Sequence, residues 1–93
     1  MGDFEKQIHS ELNEIEKMLL AKNKAYGNSA LSPCRVFSKA GVKEQLLVRI
    51  DDKLSRIRNM GFGDNGEDTV KDLIGYLALL RLAMKGGGDG GGR

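Results

Sequence analysis

Apolar residues recur along this chain at intervals of three and four over three stretches, with no run of strict strand-like alternation between them. Phe4, Ile8, Leu12, Ile15 and Leu19 make the first stripe. It predicts a helix from Phe4 to about Lys24, with Asp3 as its cap, Glu5 in its first turn and Gly27 as its stop. Val42, Leu46, Ile50, Leu54 and Ile57 make the second, predicting a helix from Val42 to Asn59 closed by Gly61 and Gly63. Val70, Leu73, Ile74, Leu77, Leu80 and Met84 make the third, on a helix that runs to about Lys85. Its expected start is Asp64-Asn65-Gly66-Glu67, where an Asp followed three residues later by Glu resembles a capping box. The predicted fold class is therefore all-α, a three-helix protomer over residues 1–85. A Gly-rich tail, GGGDGGGR over 86–93, has no side chains to bury and is expected to be flexible.

The third stripe is too wide for one face. Ala78, Leu79, Leu82 and Ala83 extend it, and a helix apolar around most of its girth is expected to be buried on several sides. Two neighbouring helices leave part of that surface uncovered, so the pattern predicts a homo-oligomer formed through the third helix. Gly75, in mid-helix, costs about 1 kcal/mol relative to Ala and implies the close approach of another helix or a ligand.

Ninety-three residues allow one domain, which buries only about two thirds of the surface its unfolded chain exposes. No apolar run approaches the roughly 20 residues of a membrane span, and MGDFEKQIHSELNE lacks the regions of a signal peptide, so the expected location is cytoplasmic, with no membrane partner. Cys34 is single, which excludes an internal disulfide and leaves a small buried or semi-exposed thiol. His9 has no Cys, second His or paired acid at ligand spacing and reads as structural. The net charge of +2 conceals an asymmetry: from Arg35 to Arg58 seven cations stand against three acids, whereas the first eighteen residues are acidic. Such a distribution favours a phosphate-bearing partner, although a solvated helical face gives the same count. With this net charge and five aromatics in all, nucleic acid is an unlikely partner.

Between the first two helices lies KNKAYGNSALSPCRVFSKAG, Lys22 to Gly41, long for a connector in so short a chain. Tyr26 beside Gly27 offers an aromatic face on which a base can stack, worth roughly 1–3 kcal/mol. Lys22, Lys24, Arg35 and Lys39 can meet phosphates, and Asn23, Asn28, Ser29 and Ser32 can read base edges or sugar hydroxyls. The competing reading is that Tyr26 packs back on the helices and the polar residues only build turns. On the second helix Arg49, Lys53 and Arg56 fall on one side at intervals of four and three, and Asp52 can pair with Arg56. Asp68 and Asp72, four apart on the third helix, with Asp52 facing them, are candidates to hold Mg²⁺. On chemistry alone the alternative is preferred, in which Asp68 belongs to the helix N-terminal turn and Asp72 pairs with Arg49, Lys53 or Arg56. Glu11 and Glu14 read as a solvated face beside Lys17.

Four blocks in order, KNxxYG (Lys22 to Gly27), CRVFSKAG (Cys34 to Gly41), RIDDKLSRI (Arg49 to Ile57) and EDTVKDLIGYLALL (Glu67 to Leu80), resemble the nucleotide-modification-associated domain family of small helical proteins frequent in phages. The resemblance covers about residues 14 to 82 and implies a nucleotide ligand. That family is in turn similar in outline to the all-α nucleotide pyrophosphohydrolases of the MazG and dimeric dUTPase type, whose E-x-x-E and E-x-x-D motifs bind Mg²⁺ beside a triphosphate. Here the second helix offers Asp51 and Asp52, with Arg49 where an acid would be wanted, and the third offers Asp72 with Thr69 three residues earlier and Asp68 as a displaced substitute. The acid set is incomplete. The preferred reading is a non-catalytic, phage-type protein without cofactor that captures a nucleotide, with a cyclic di- or trinucleotide immune signal as the leading ligand class by analogy with anti-defence sponges. Its expected ligand residues are Lys22, Asn23, Tyr26, Gly27, Asn28, Ser32, Arg35, Lys39, Arg49, Lys53 and Arg56. The alternative is a Mg²⁺-dependent nucleoside triphosphate pyrophosphohydrolase with Asp52, Asp68 and Asp72 as metal ligands and catalytic residues.

Overall fold

The computed structural model of the chain describes residues 2–25, 31, 41–62 and 68–86. Among these residues there are three helices and no strand: α1 (Asp3–Ala25), α2 (Val42–Met60) and α3 (Thr69–Gly86). The all-α, three-helix class expected from the apolar spacing is the one observed. The ends differ in instructive ways. Asp3 is the first residue of α1 rather than its cap; the Gly2 carbonyl accepts the Lys6 N–H at 3.4 Å, and the Asp3 and Glu5 carboxylates instead sit in the first turn, where the helix dipole favours acids. At α3 the cap is Asp68, whose Oδ1 accepts the Lys71 N–H at 2.9 Å. The expected capping box at Asp64 to Glu67 lies outside the described residues. α3 continues through Gly86, one residue into the expected tail.

Both ends of α2 are made by glycine. Gly41 precedes it in extended backbone with no side-chain cap, its carbonyl accepting the Gln45 N–H at 3.0 Å. Gly61 ends it at φ +78°, a conformation that carries little penalty only for glycine, and donates its N–H to the Ile57 carbonyl at 2.8 Å.

α2 and α3 make an antiparallel hairpin that holds most of the interhelical packing. Val42 and Leu46 near the start of α2 cluster with Ala83 near the end of α3, and Tyr76, Leu79 and Leu80 pack around them. At the other end Lys53 meets Asp72. α1 rests on α3, less extensively, and makes no close backbone approach to α2. Its crossing point is Gly75. A Cβ there would lie 2.9 Å from Met18 Cε and 3.0 Å from Leu19 Cδ2, so the residue that weakens the helix locally is the one that lets α1 come down on it.

Two apolar stripes are not covered within the protomer. In α1 only Ile15 of the predicted stripe is buried; Phe4 is 71% exposed, and Ile8 and Leu12 are also exposed. On α3, Thr69, Gly75 and Ala83 are buried, while Val70, Ile74, Leu77, Leu82 and Met84 are exposed, the remainder that two neighbouring helices are expected to leave uncovered. No helix among the described residues is long and apolar enough to cross a membrane.

Candidate functional site

The three helices meet electrostatically at one carboxylate. Lys22, in the last turn of α1, places Nζ 3.3 Å from Asp72 Oδ1, and Lys53, in the middle of α2, places Nζ 3.5 Å from Asp72 Oδ2. The periodicity explains the meeting. Asp72 lies on α3 about a sixth of a turn from Gly75, the crossing point, and on the edge that turns toward α2. Asp72 and Lys53 are both largely covered, with side chains 17% exposed, whereas Lys22 is half exposed. One carboxylate faces two ammonium groups, so the node carries a net positive charge. Arg49 and Arg56 share the flank of α2 that Lys53 occupies, Arg49 exposed and Arg56 half-buried.

A cleft opens beside this node between α1 and α3, with a volume of about 500 Å³, within the range of small-molecule sites. Leu12, Leu19 and Leu20 of α1 and Leu79 and Leu82 of α3 form its walls, and Glu16 and Asn23 supply its polar groups. Leu31 closes part of it. Asn23 at the cleft and Lys22 at the node are consecutive residues of α1, so the two features lie at the same height on that helix, on faces about 100° apart.

Of the ligand residues expected from sequence, Lys22, Asn23, Arg49, Lys53 and Arg56 are described, and the structure brings Lys22 and Lys53 together. Tyr26, Gly27, Asn28, Ser32, Arg35 and Lys39 lie outside the described residues, as do Ser29, Cys34 and Gly27's expected role as helix stop. Comparison of the chain with protein-family models, with curated proteins and with solved structures finds no match. Similarity to the nucleotide-modification-associated family therefore stands on the four sequence blocks alone.

Two of the three candidate metal acids have other partners. Asp72 is taken by the two lysines and Asp68 by the α3 cap, as the ion-pair reading of these residues expects, with Lys22 an addition to it. Asp52 is exposed on α2. Among the described residues no three His, Cys, Asp or Glu side chains are grouped to hold a metal ion. Glu14, read from its spacing as part of a solvated face, instead accepts a hydrogen bond from Lys71 Nζ at 3.0 Å and ties α1 to α3. That bond, more than the neighbouring Asp68 and Glu11 charges, raises the Lys71 pKa above the ordinary lysine value of 10.5. Neither this pair nor the cleft had a local signal in the sequence, because each joins residues more than fifty positions apart; only the excess width of the α3 stripe pointed toward an unfilled apolar surface.

Proposed function

We infer that this protein captures a nucleotide without cleaving it, with a cyclic di- or trinucleotide as the leading ligand class. The observation that carries the reading is the convergence of Lys22 and Lys53, from different helices, on a single carboxylate that neutralises only one of them. A phosphate arriving there gains two ammonium partners and the Arg49 and Arg56 flank, and charge-assisted contacts of this kind are about twice as strong as neutral ones. The adjoining cleft is large enough for a base, and Tyr26, three residues after Asn23, supplies the stacking surface in this reading. Assembly of copies through α3, and an origin in a phage that counters bacterial immune signalling, belong to the same proposal.

Pyrophosphohydrolysis on Mg²⁺ is the weaker reading, because Asp72 is held by two cations and Asp68 caps a helix. The experiment is calorimetric titration with a panel of cyclic di- and trinucleotides, followed by heat denaturation of the complex. Capture predicts release of chemically unchanged ligand, and about tenfold weaker binding in each of Lys22→Ala and Lys53→Ala, equal to about 1.4 kcal/mol per lost contact. Tyr26→Ala weakens binding similarly, through lost stacking of roughly 1–3 kcal/mol. Failure of every cyclic nucleotide to bind removes the reading, and pyrophosphate release abolished by chelation replaces it with the enzymatic one.

A further inference from the structure

The face of the α2–α3 hairpin turned away from α1 is an uncovered apolar seam. On α3, Val70, Leu77 and Met84 are spaced by seven residues with Ile74 four after Val70, and all four are exposed. On α2, Leu47 and Leu54 are also spaced by seven and are 37% and 50% exposed. At about 100° per residue, Leu47 and Leu54 lie roughly 80–100° around α2 from the buried Leu46, and Leu77 and Met84 lie about as far, in the same rotational sense, around α3 from its packed Tyr76, Leu80 and Ala83. In an antiparallel pair the same sense of rotation brings both flanks to one side. The opposite flank carries Lys53, Asp72 and the α1 crossing at Gly75.

We propose that this face joins a second copy of the chain, two α2–α3 hairpins packing about a two-fold axis into a four-helix bundle. Repeats of seven with intervening steps of four suit helices that pack nearly parallel or antiparallel along their length. The footprint is sufficient: helices of 18 and 19 residues are roughly 27 Å long, and a pair about 20 Å wide presents roughly 540 Å² in projection, which side-chain relief raises toward the ~800 Å² per partner of a stable dimer. Charge selects the occupant. The exposed rim mixes the two signs: Glu44 and Asp51 stand with Arg58, Arg81 and Lys85, two acids and three cations. A rim of mixed sign can pair acid with cation across a two-fold axis with its own copy, whereas an anionic membrane or a nucleic acid calls for a rim made of cations alone. This interface gives form to the assembly through α3 proposed above, and its failure is distinguishable from failure of nucleotide capture, since the node and its cations lie on the other flank and remain open in the dimer.

The test is the mass of the full chain by light scattering on a sizing column, together with its helical circular dichroism. The unmodified chain is expected at twice its 10.2 kDa, and Leu77→Glu and Leu54→Glu each halve the mass while keeping the helical signal. Ile8→Glu, on the other exposed stripe, leaves the dimer intact. If Leu77→Glu loses helicity, Leu54→Glu on the neighbouring helix decides. A monomeric wild type, a dimer that survives the Leu54 substitution, or one dissolved by Ile8→Glu overturns the proposal. So does a monomer that floats with vesicles of anionic phospholipid, which assigns the face to a membrane surface.

Discussion

Asp72 receives an ammonium group from each of two helices that do not otherwise touch closely, and its removal leaves Lys53, largely covered, without its carboxylate. Asp72→Asn is therefore expected to lower stability by about 1–2 kcal/mol in denaturant titration, at the lower end of what an uncompensated, partly covered charge costs. The same change separates the two functional readings. If the node holds phosphate, removing its one acid strengthens nucleotide binding by about 1 kcal/mol, roughly fivefold; if Asp72 is a metal ligand, Asp72→Asn abolishes turnover. A second residue-scale expectation concerns Lys71, whose raised pKa means that its bond to Glu14 stabilises the fold fully below the unfolded lysine value and loses that contribution as pH rises through the folded one. Urea midpoints of wild type and Glu14→Gln should differ at neutral pH and converge above about pH 10.5. A difference that persists unchanged into strong alkali contradicts this account.

At the scale of elements, α1 and α3 are joined where Gly75 leaves no Cβ. The competing terms at this position are of similar size. Alanine gains about 1 kcal/mol of helix propensity, and its Cβ must displace the flexible ends of Met18 and Leu19, so Gly75→Ala is expected within about 1 kcal/mol of wild type. Gly75→Leu has no such compensation and should cost about 2 kcal/mol by overpacking, seen as a lower unfolding midpoint. Gly75 also marks what the sequence made legible. A glycine inside a strong helical pattern predicted a close approach, and an approach by a helix is what the structure contains; the partners Met18 and Leu19 were not predictable, because they are more than fifty residues away. Stripe periodicity located all three helices, and Gly61 located the end of α2. It did not separate stripe residues that meet a neighbour from those that do not: Ile15 and Phe4 belong to one pattern, and only Ile15 has α3 beneath it. In the site, cation spacing on α2 singled out Lys53, whereas pairing with Lys22 required the fold.

For the whole molecule, the division of labour is unequal. Among the described residues, the α2–α3 hairpin holds the buried cluster, and the contacts of α1 include the crossing at Gly75, the Lys22–Asp72 and Glu14–Lys71 ion pairs and the leucines around the cleft. Amide hydrogen exchange should therefore show α1 opening as a unit with a lower free energy than α2 and α3, and equal protection across the three helices would disprove this. Nucleotide added to the protein should slow exchange in the second half of α1, where Lys22 and Asn23 lie, more than in its first half.

The contacts of α1 also have an order in time. Lys22 and Asp72 are 50 residues apart, and Glu14 and Lys71 are 57. At a synthesis rate of about 5–20 residues per second, α1 leaves the ribosome several seconds before the segment that receives it. During that interval its Ile15 and Leu19 are as bare as Phe4 and Ile8, and the segment lacks the packing from which a helix takes most of its stability. The hairpin, by contrast, joins two helices close in sequence, so α1 waits for the α3 surface on which it docks.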